Sequence, residues 1–312
     1  MEVNQSTLST LFKTYSAVFN KAVNSTPSVY GKRDVKVEDI AMIVQSTGAS
    51  TTHAWINQIP GFKKWVGERT LNTLKAGTLT VVNEDFEDTV VVPRNAIEDD
   101  SYGVFAAPIA ALGDAARDLW LQLAVQALVK NAEWADGNKF FCTGRLFVEG
   151  GTPCTNASKN TLNAANLQAA IAAMRGWKLD GGRATHVIPT TLLVGPDQEY
   201  LAAKLVETDL VADGNVTTSN VLKNVLTVKV HADIPAGQWY VLAEKNTIKP
   251  IAVQKRKEAV LTGCTGESDE SVFMRNEFLY GGHARGEAFL TMPFLAYAGG
   301  LSEVTAWAKA NS

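Results

Sequence analysis

Ile109, Leu112, Ala116, Leu119, Trp120, Leu123, Ala127 and Leu128 recur at three- and four-residue steps, which places them on one stripe of a single helix. Pro108 suits a first turn, where its missing N–H forfeits no hydrogen bond. Asp136-Gly137-Asn138 closes the pattern. The expected helix opens at Pro108, runs to about Ala135 and is about 40 Å long at 1.5 Å per residue. A rod longer than most globular helices has to be covered along its length, so the fold must be built beside it.

The stretch before the helix, "TVVVPRNAIEDDSYG" (89–103), starts as a strand, and Pro93 ends its pairing because proline has no N–H to donate. Glu98, Asp99 and Asp100 then stand ahead of the helix, where the macrodipole favours negative charge. They read as a solvated capping hinge in preference to an acid/base pair or a Mg²⁺ site. Upstream, "GTLTVV", a turn-like "NED" and "FEDTVVV" read as a hairpin. Two strands alone are marginal in water, so this pair needs cover from its own subunit or from another.

Leu8, Leu11, Phe12, Tyr15, Val18, Phe19 and Ala22 mark an amphipathic helix near the N-terminus. An irregular arm with Trp55, Ile59, Phe62 and Trp65 follows it. "NAANLQAAIAAMRGW" reads as a helix capped by Asn163. The strand-like "ATHVIPTTLLVG", "VLTVKVHADI" and "QWYVLAE" alternate with helical runs and suggest an α/β unit over 160–247. "IKPIAVQKRKEAVL" and "SVFMRNEFLYGGHARGEAFLTMPFLAYAGG" read as long strands, with a bend at Gly281-Gly282.

Function classes fall away in turn. The 312 residues are 46% hydrophobic and 20% charged, with a net charge of −3, so no strong global field draws in nucleic acid or an anionic membrane. The first residues lack the basic and apolar regions of a signal peptide, so the chain is expected to fold in a cytoplasm, where Cys142, Cys154 and Cys264 stay reduced. No phosphate loop or nucleophile elbow is present. His53, His186, His231 and His283 show no metal-ligand spacing. No cofactor and no catalytic residue are expected.

"FEDTVVVPRNAIEDDSYGVF" resembles the Mu-like phage major head (capsid) proteins, with their F-E-x-T, V-P-R, I-E-D-D and Y-G-V steps. "ADGNKFF", "NLQAAIAAMRGWKLDGGR", "TTLLVGPDQEYLAAKL", "QWYVLA", "IKPIAVQKRK" and "VFMRNEFLYGGHARGEAF" are similar to further family segments in the same order. Where many family members have an acidic-His-Pro step after the F-F turn, this chain has Cys142-Thr143-Gly144-Arg145.

The resemblance implies an α+β HK97-type capsid fold. Its parts would be an N-terminal arm (1–66), an E-loop hairpin over a neighbouring subunit (67–100), a P-domain with a spine helix (101–159), an A-domain (160–247) and P-domain strands with a C-terminal return (248–312). It also implies a virion protein assembled in the host bacterial cytoplasm. The partners would be further copies in hexamers, pentamers and a shell, scaffold, portal and decoration proteins, and enclosed double-stranded DNA, with no membrane. Expected interface residues are Arg69, Lys75, Glu87, Arg94, Glu98, Asp99 and Asp100 on the hairpin side, and Arg275, Glu277, Arg285 and Glu287 on the strands. Lys75 and Asn276 could be cast as a crosslinking pair, although nothing in the local sequence supports it. The alternatives are a nanocompartment shell and an α/β enzyme with Asp197, Glu199 and His186 at its site.

Overall fold

Burial alternates residue by residue along most of Glu277–Leu290, and that strand is the axis on which the other elements are arranged. The computed structural model describes residues 5–25, 31–56, 76–99, 102–146, 152–178, 184–213, 216–246, 248–266 and 268–308. The chain begins with α1 (Gln5–Val23), α2 (Val37–Ile40), β1 (Ala41–Gln45), β2 (Ser50–Ile56), β3 (Ala76–Val82), β4 (Glu84–Pro93) and α3 (Arg94–Glu98). A 3₁₀ turn at Tyr102–Phe105 leads into α4 (Ala106–Lys130), followed by β5 (Cys142–Thr143), α5 (Ala164–Gly176), β6 (Thr191–Val194) and α6 (Glu199–Val206). Then come β7 (Leu210–Asp213), β8 (Val216–Ser219), β9 (Thr227–Val230), β10 (Trp239–Leu242) and β11 (Ile251–Cys264). The chain ends with α7 (Glu270–Arg275), β12 (Glu277–Leu290), β13 (Ala296–Gly299) and β14 (Thr305–Ala306).

The long sheet has the order β1-β11-β12-β4. One face of β12, with Phe278, Tyr280, Ala284 and Ala288, is buried and packs on α4. The glycines of that face make the approach close. A Cβ at Gly282 would meet Leu112 at 3.4 Å, and one at Gly286 would stand 2.7 Å from Cζ3 of Trp120. At Gly281-Gly282, where a bend is expected, β12 continues as an unbroken strand, and Gly282 makes room for the helix. A similar contact joins α1 to α4, because a Cβ at Gly113 would lie 2.7 Å from Cβ of Ala22. The periodic face of α1 (Leu8, Leu11, Tyr15, Phe19, Ala22) is buried, as its spacing predicts. Fully burying a side chain of this size contributes about 1.5–3 kcal/mol.

Two expectations about the segments flanking α4 are corrected. The strands on either side of Asn83 do not pair with each other. β3 pairs antiparallel with β2, and β4 pairs antiparallel with β12 from Pro93↔Glu277 to Glu84↔Gly286. Asn83 is the switch between the sheets. It is 4% exposed, its amide donates to Ser46 Oγ at 3.0 Å and Gly48 O at 2.9 Å, and its Oδ1 accepts from Gln254 Nε2 at 2.8 Å. The residue at the N-cap of α4 is Phe105, not an acid of the hinge. The 3₁₀ turn intervenes, α4 has no acidic residue in its first turn, and Asp99 is the C-cap of α3.

α4 also ends earlier than its apolar pattern suggests. Asn131 turns left-handed at φ 44°, and its side chain bonds the Phe141 backbone in both directions, donating to O at 3.2 Å and accepting from N at 2.7 Å. The remaining 25 residues span about 37 Å.

The α/β unit has a second four-stranded sheet, ordered β13-β10-β6-β9, flanked by α5 and α6. Its βα alternation follows the sequence expectation, but the edge strand β13 comes from residues beyond 247. Asn163 caps α5 by accepting from Asn166 N at 2.8 Å. The arm is less irregular than expected. Asp34 bridges to Val230 at the edge of this sheet, and β1, a few residues later, runs parallel to β11 in the long sheet. Residues 31–45 thus form a strap across two sheets.

Candidate functional site

The charged residues expected at an interface divide into several groups. Arg285 Nε sits 3.3 Å from Asp85 Oδ1 across the β12–β4 ladder, an ion contact whose angle makes no hydrogen bond. Arg275 Nε donates to Glu277 at 3.2 Å. These three candidates are thus engaged within their own subunit. Glu87 is exposed opposite His283 and accepts from the Thr89 hydroxyl at 3.3 Å. Arg94 opens α3 and donates its N–H to Asn276 O at 3.0 Å. Asp99 is exposed at the end of α3.

Glu287 is half-buried and accepts from Ala288 N at 2.9 Å. Burial pushes its carboxyl above the usual range, helped by the like charge of Glu84. Arg69, Lys75, Asp100 and the side chain of Glu98 lie outside the described residues. The proposed crosslinking partner Asn276 is left-handed at φ 56° and donates to Asn95 Oδ1 at 3.0 Å, which gives it a structural task already.

The residues suggested for an enzymatic site do not converge. Asp197 accepts from Gly237 N at 2.9 Å, Glu199 is ion-paired to Arg33 at 2.8 Å, and His186 is exposed with φ 55°. Cys142 and Cys154 are buried with thiols pushed up by desolvation, the opposite of what a nucleophile needs. Among the described residues no group of three His, Cys, Asp or Glu is placed to hold a metal, and no helix is long and apolar enough to cross a membrane.

Three clusters that the sequence did not announce organise the surface. Arg33, in the strap, reaches Glu199 and Glu207 on α6, each at 2.8 Å, and its guanidinium holds the Glu207 carboxyl below the usual range. Arg145 is buried beside the Trp134 ring. It donates to Asp136 Oδ2 and Lys139 O, both at 2.6 Å, and Asp136 also accepts from Trp307 Nε1 at 3.1 Å. Arg145 occupies the loop where the sequence departs from the family step, which was the only signal for it. The third cluster ties down the β2–β3 ribbon. His53 lies 2.7 Å from Gln254 Oε1 and stacks on Phe289 with centroids 4.6 Å apart.

These contacts tie the two sheets, α4 and the β2–β3 ribbon together, and among the described residues the candidates for an enzymatic site stay apart. The model of the "Mu-like prophage major head subunit gpT" family matches residues 8–156, 152–234 and 230–308. The FluMu major head subunit of Haemophilus influenzae is 27% identical over 277 residues, a match covering 88% of this chain and 67% of that protein. The major capsid protein of Escherichia phage Mu is 25% identical over 286 residues, covering 91% and 70%. The structure aligns with the procapsid of bacteriophage JBD30 at a TM-score of 0.55 and 24% identity, over 99% of this chain and 78% of that one. The fold is therefore the α+β HK97-type capsid fold. Matched over nearly its whole length, the chain belongs to the Mu-like prophage major head subunit gpT family, a family of structural capsid proteins and not of enzymes.

Proposed function

We propose that copies of this chain form pentameric and hexameric rings that close into an icosahedral shell in the host cytoplasm. The shell encloses double-stranded DNA without reading its sequence and uses scaffold, portal and decoration proteins as partners. In this reading the sheet β1-β11-β12-β4 with α4 is the peripheral domain, and the sheet β13-β10-β6-β9 is the axial domain. The strands Ser50–Ile56 and Ala76–Val82, in place of a hairpin over 67–100, form the ribbon that reaches a neighbour. Glu87 and Asp99 belong to the surface that meets neighbours.

The observation that carries the proposal is the β2–β3 ribbon. Among the described residues it has two strands, its Thr52–Thr80 face is exposed, and it is held to the body through His53, Gln254 and Asn83 at one end. Such a ribbon is marginal in water without cover, and many weak contacts of this kind add up in a closed assembly. Electron microscopy and sedimentation of the purified chain test it. The intact chain is expected to give rings or shells. Replacing residues 57–75 by a short Gly-Ser linker should leave a folded chain that forms none. Normal shells from the shortened chain, or an intact chain that stays monomeric at every concentration, would overturn the proposal.

A further inference from the structure

Glu244 stands just past the end of β10, where the chain leaves the second sheet for β11. Its side chain is half-buried with Oε2 closed off from solvent, and its backbone N–H donates to Thr190 Oγ1 at 3.3 Å. The Thr191 hydroxyl, 1% exposed, adjoins the carboxyl, and neither Oε2 nor Thr191 Oγ1 makes a hydrogen bond of good geometry. A charged carboxylate in such a place has given up water without full compensation.

The strap brings a second acid to this spot. Asp39, in α2, adds a like charge beside Glu244, while Lys245 and Lys249, on the link to β11, add opposite ones. Members of this set also fasten the strap. Asp39 Oδ2 lies 2.7 Å from Nζ of Lys229 on β9, which donates to Asp34 O at 2.8 Å, and Lys249 Nζ donates to Glu38 O. Residues 291–302, joined to this corner by the bond from Ala243 N to Leu295 O, carry no charge. Burial pushes the Glu244 carboxyl above the usual range, Asp39 adds to the rise, and the Thr191 hydroxyl and the two lysines oppose it.

We propose that Glu244 is a proton-operated catch on the strap. Protonated, its carboxyl pairs with the Thr191 hydroxyl and leaves Asp39 to Lys229, so residues 31–41 hold fast to the second sheet. Ionised, it repels Asp39 and draws Lys249 away from Glu38, and the strap loosens. Glu244 acts through its neighbours and is a positioning residue. Because its folded value lies above the ordinary 4.5, the tight state is fully favoured below 4.5, and the advantage is lost as pH rises through the raised value. The Arg33–Glu207 end works in the other sense and lets go in acid. The strap is therefore tightest in mild acid, between the two. The inference concerns the single chain and stands apart from the shell-forming role.

Hydrogen exchange of the full chain, kept dilute and unassembled, tests it. Two amides report the strap: Val230 N–H, which donates to Arg33 O at 2.8 Å, and Asp39 N–H, which donates to Lys36 O at 3.0 Å. Corrected for intrinsic exchange, their protection in the parent is expected to fall about two- to fivefold between about pH 4.5 and about pH 8, the worth of one partly exposed charge contact. In Glu244→Gln, which keeps the shape of the neutral carboxyl, it should stay level. Two further variants retain Glu244 and so decide the matter even if the glutamine variant folds poorly. Asp39→Asn removes the like charge and should move the fall to lower pH, and Thr191→Val removes the donor that favours the carboxylate and should move it to higher pH. A parent whose strap protection does not fall, a glutamine variant that keeps the fall, or shifts in the reverse sense would each overturn the proposal.

Discussion

Asp136 Oδ2 stands 2.6 Å from Nη1 of Arg145, whose side chain is 1% exposed, and the same carboxylate oxygen takes the Trp307 indole proton at 3.1 Å. One carboxylate neutralises a buried charge and pins the C-terminal segment. Removing one partner of a buried pair leaves the other uncompensated. Asp136→Asn is therefore expected to destabilise the chain by about 3 kcal/mol. Trp307→Phe, which breaks only the indole bond, should cost about 1 kcal/mol. Urea unfolding of both variants checks the difference, and equal losses would contradict it.

The packing of β12 on α4 leads to a second expectation. Gly286→Ala places a methyl against the Trp120 ring, and overpacking of this kind costs about 1–3 kcal/mol. Gly103→Ala is the control, since a Cβ there meets nothing within 4 Å, and it should stay within about 0.5 kcal/mol of the parent. Thermal unfolding of the two variants side by side decides it.

The strap makes a third. Arg33→Ala releases both α6 glutamates and should cost about 1 kcal/mol, the size of a partly exposed ion-pair network. Because Glu207 is held below its ordinary value of 4.5, its share is present above that value and is lost as pH falls through the lowered folded value. The gap between parent and variant should narrow in acid. Hydrogen exchange at residues 31–41 is expected to quicken in the variant at neutral pH.

Glu287 behaves in the opposite sense. Its folded pKa lies above the ordinary 4.5, so its contribution is complete below 4.5 and is lost as pH rises through the raised folded value. In dilute, unassembled chain, Glu287→Gln should match the parent at about pH 4 and unfold at a higher temperature at about pH 8. A variant that unfolds at a lower temperature than the parent at about pH 8 would contradict it.

The legible parts of the sequence were those written in local spacing. The α4 stripe and the buried face of α1 follow three- and four-residue steps, and the β12 face follows alternation, so each could be read without knowing its partner. Strand pairing could not be read. The β-branched runs on either side of Asn83 say strand, but which strand each joins is decided by Asn83 bonding Ser46, Gly48 and Gln254, residues scattered along the chain. The end of α4 was missed because Asn131 is turned by Phe141, ten residues on. The charges on β4 and β12 were identifiable as alternating. That Arg285 meets Asp85 at home depends on a register no local pattern carries.

The strap binds one sheet through Asp34 and the other through β1. Its short intervening stretch is mostly α2, so the two sheets cannot part in that direction without unwinding that turn or stripping one set of hydrogen bonds. A shell made of such subunits would resist being pulled open from inside by tension within each wall element, and its weak points under pressure would fall between subunits.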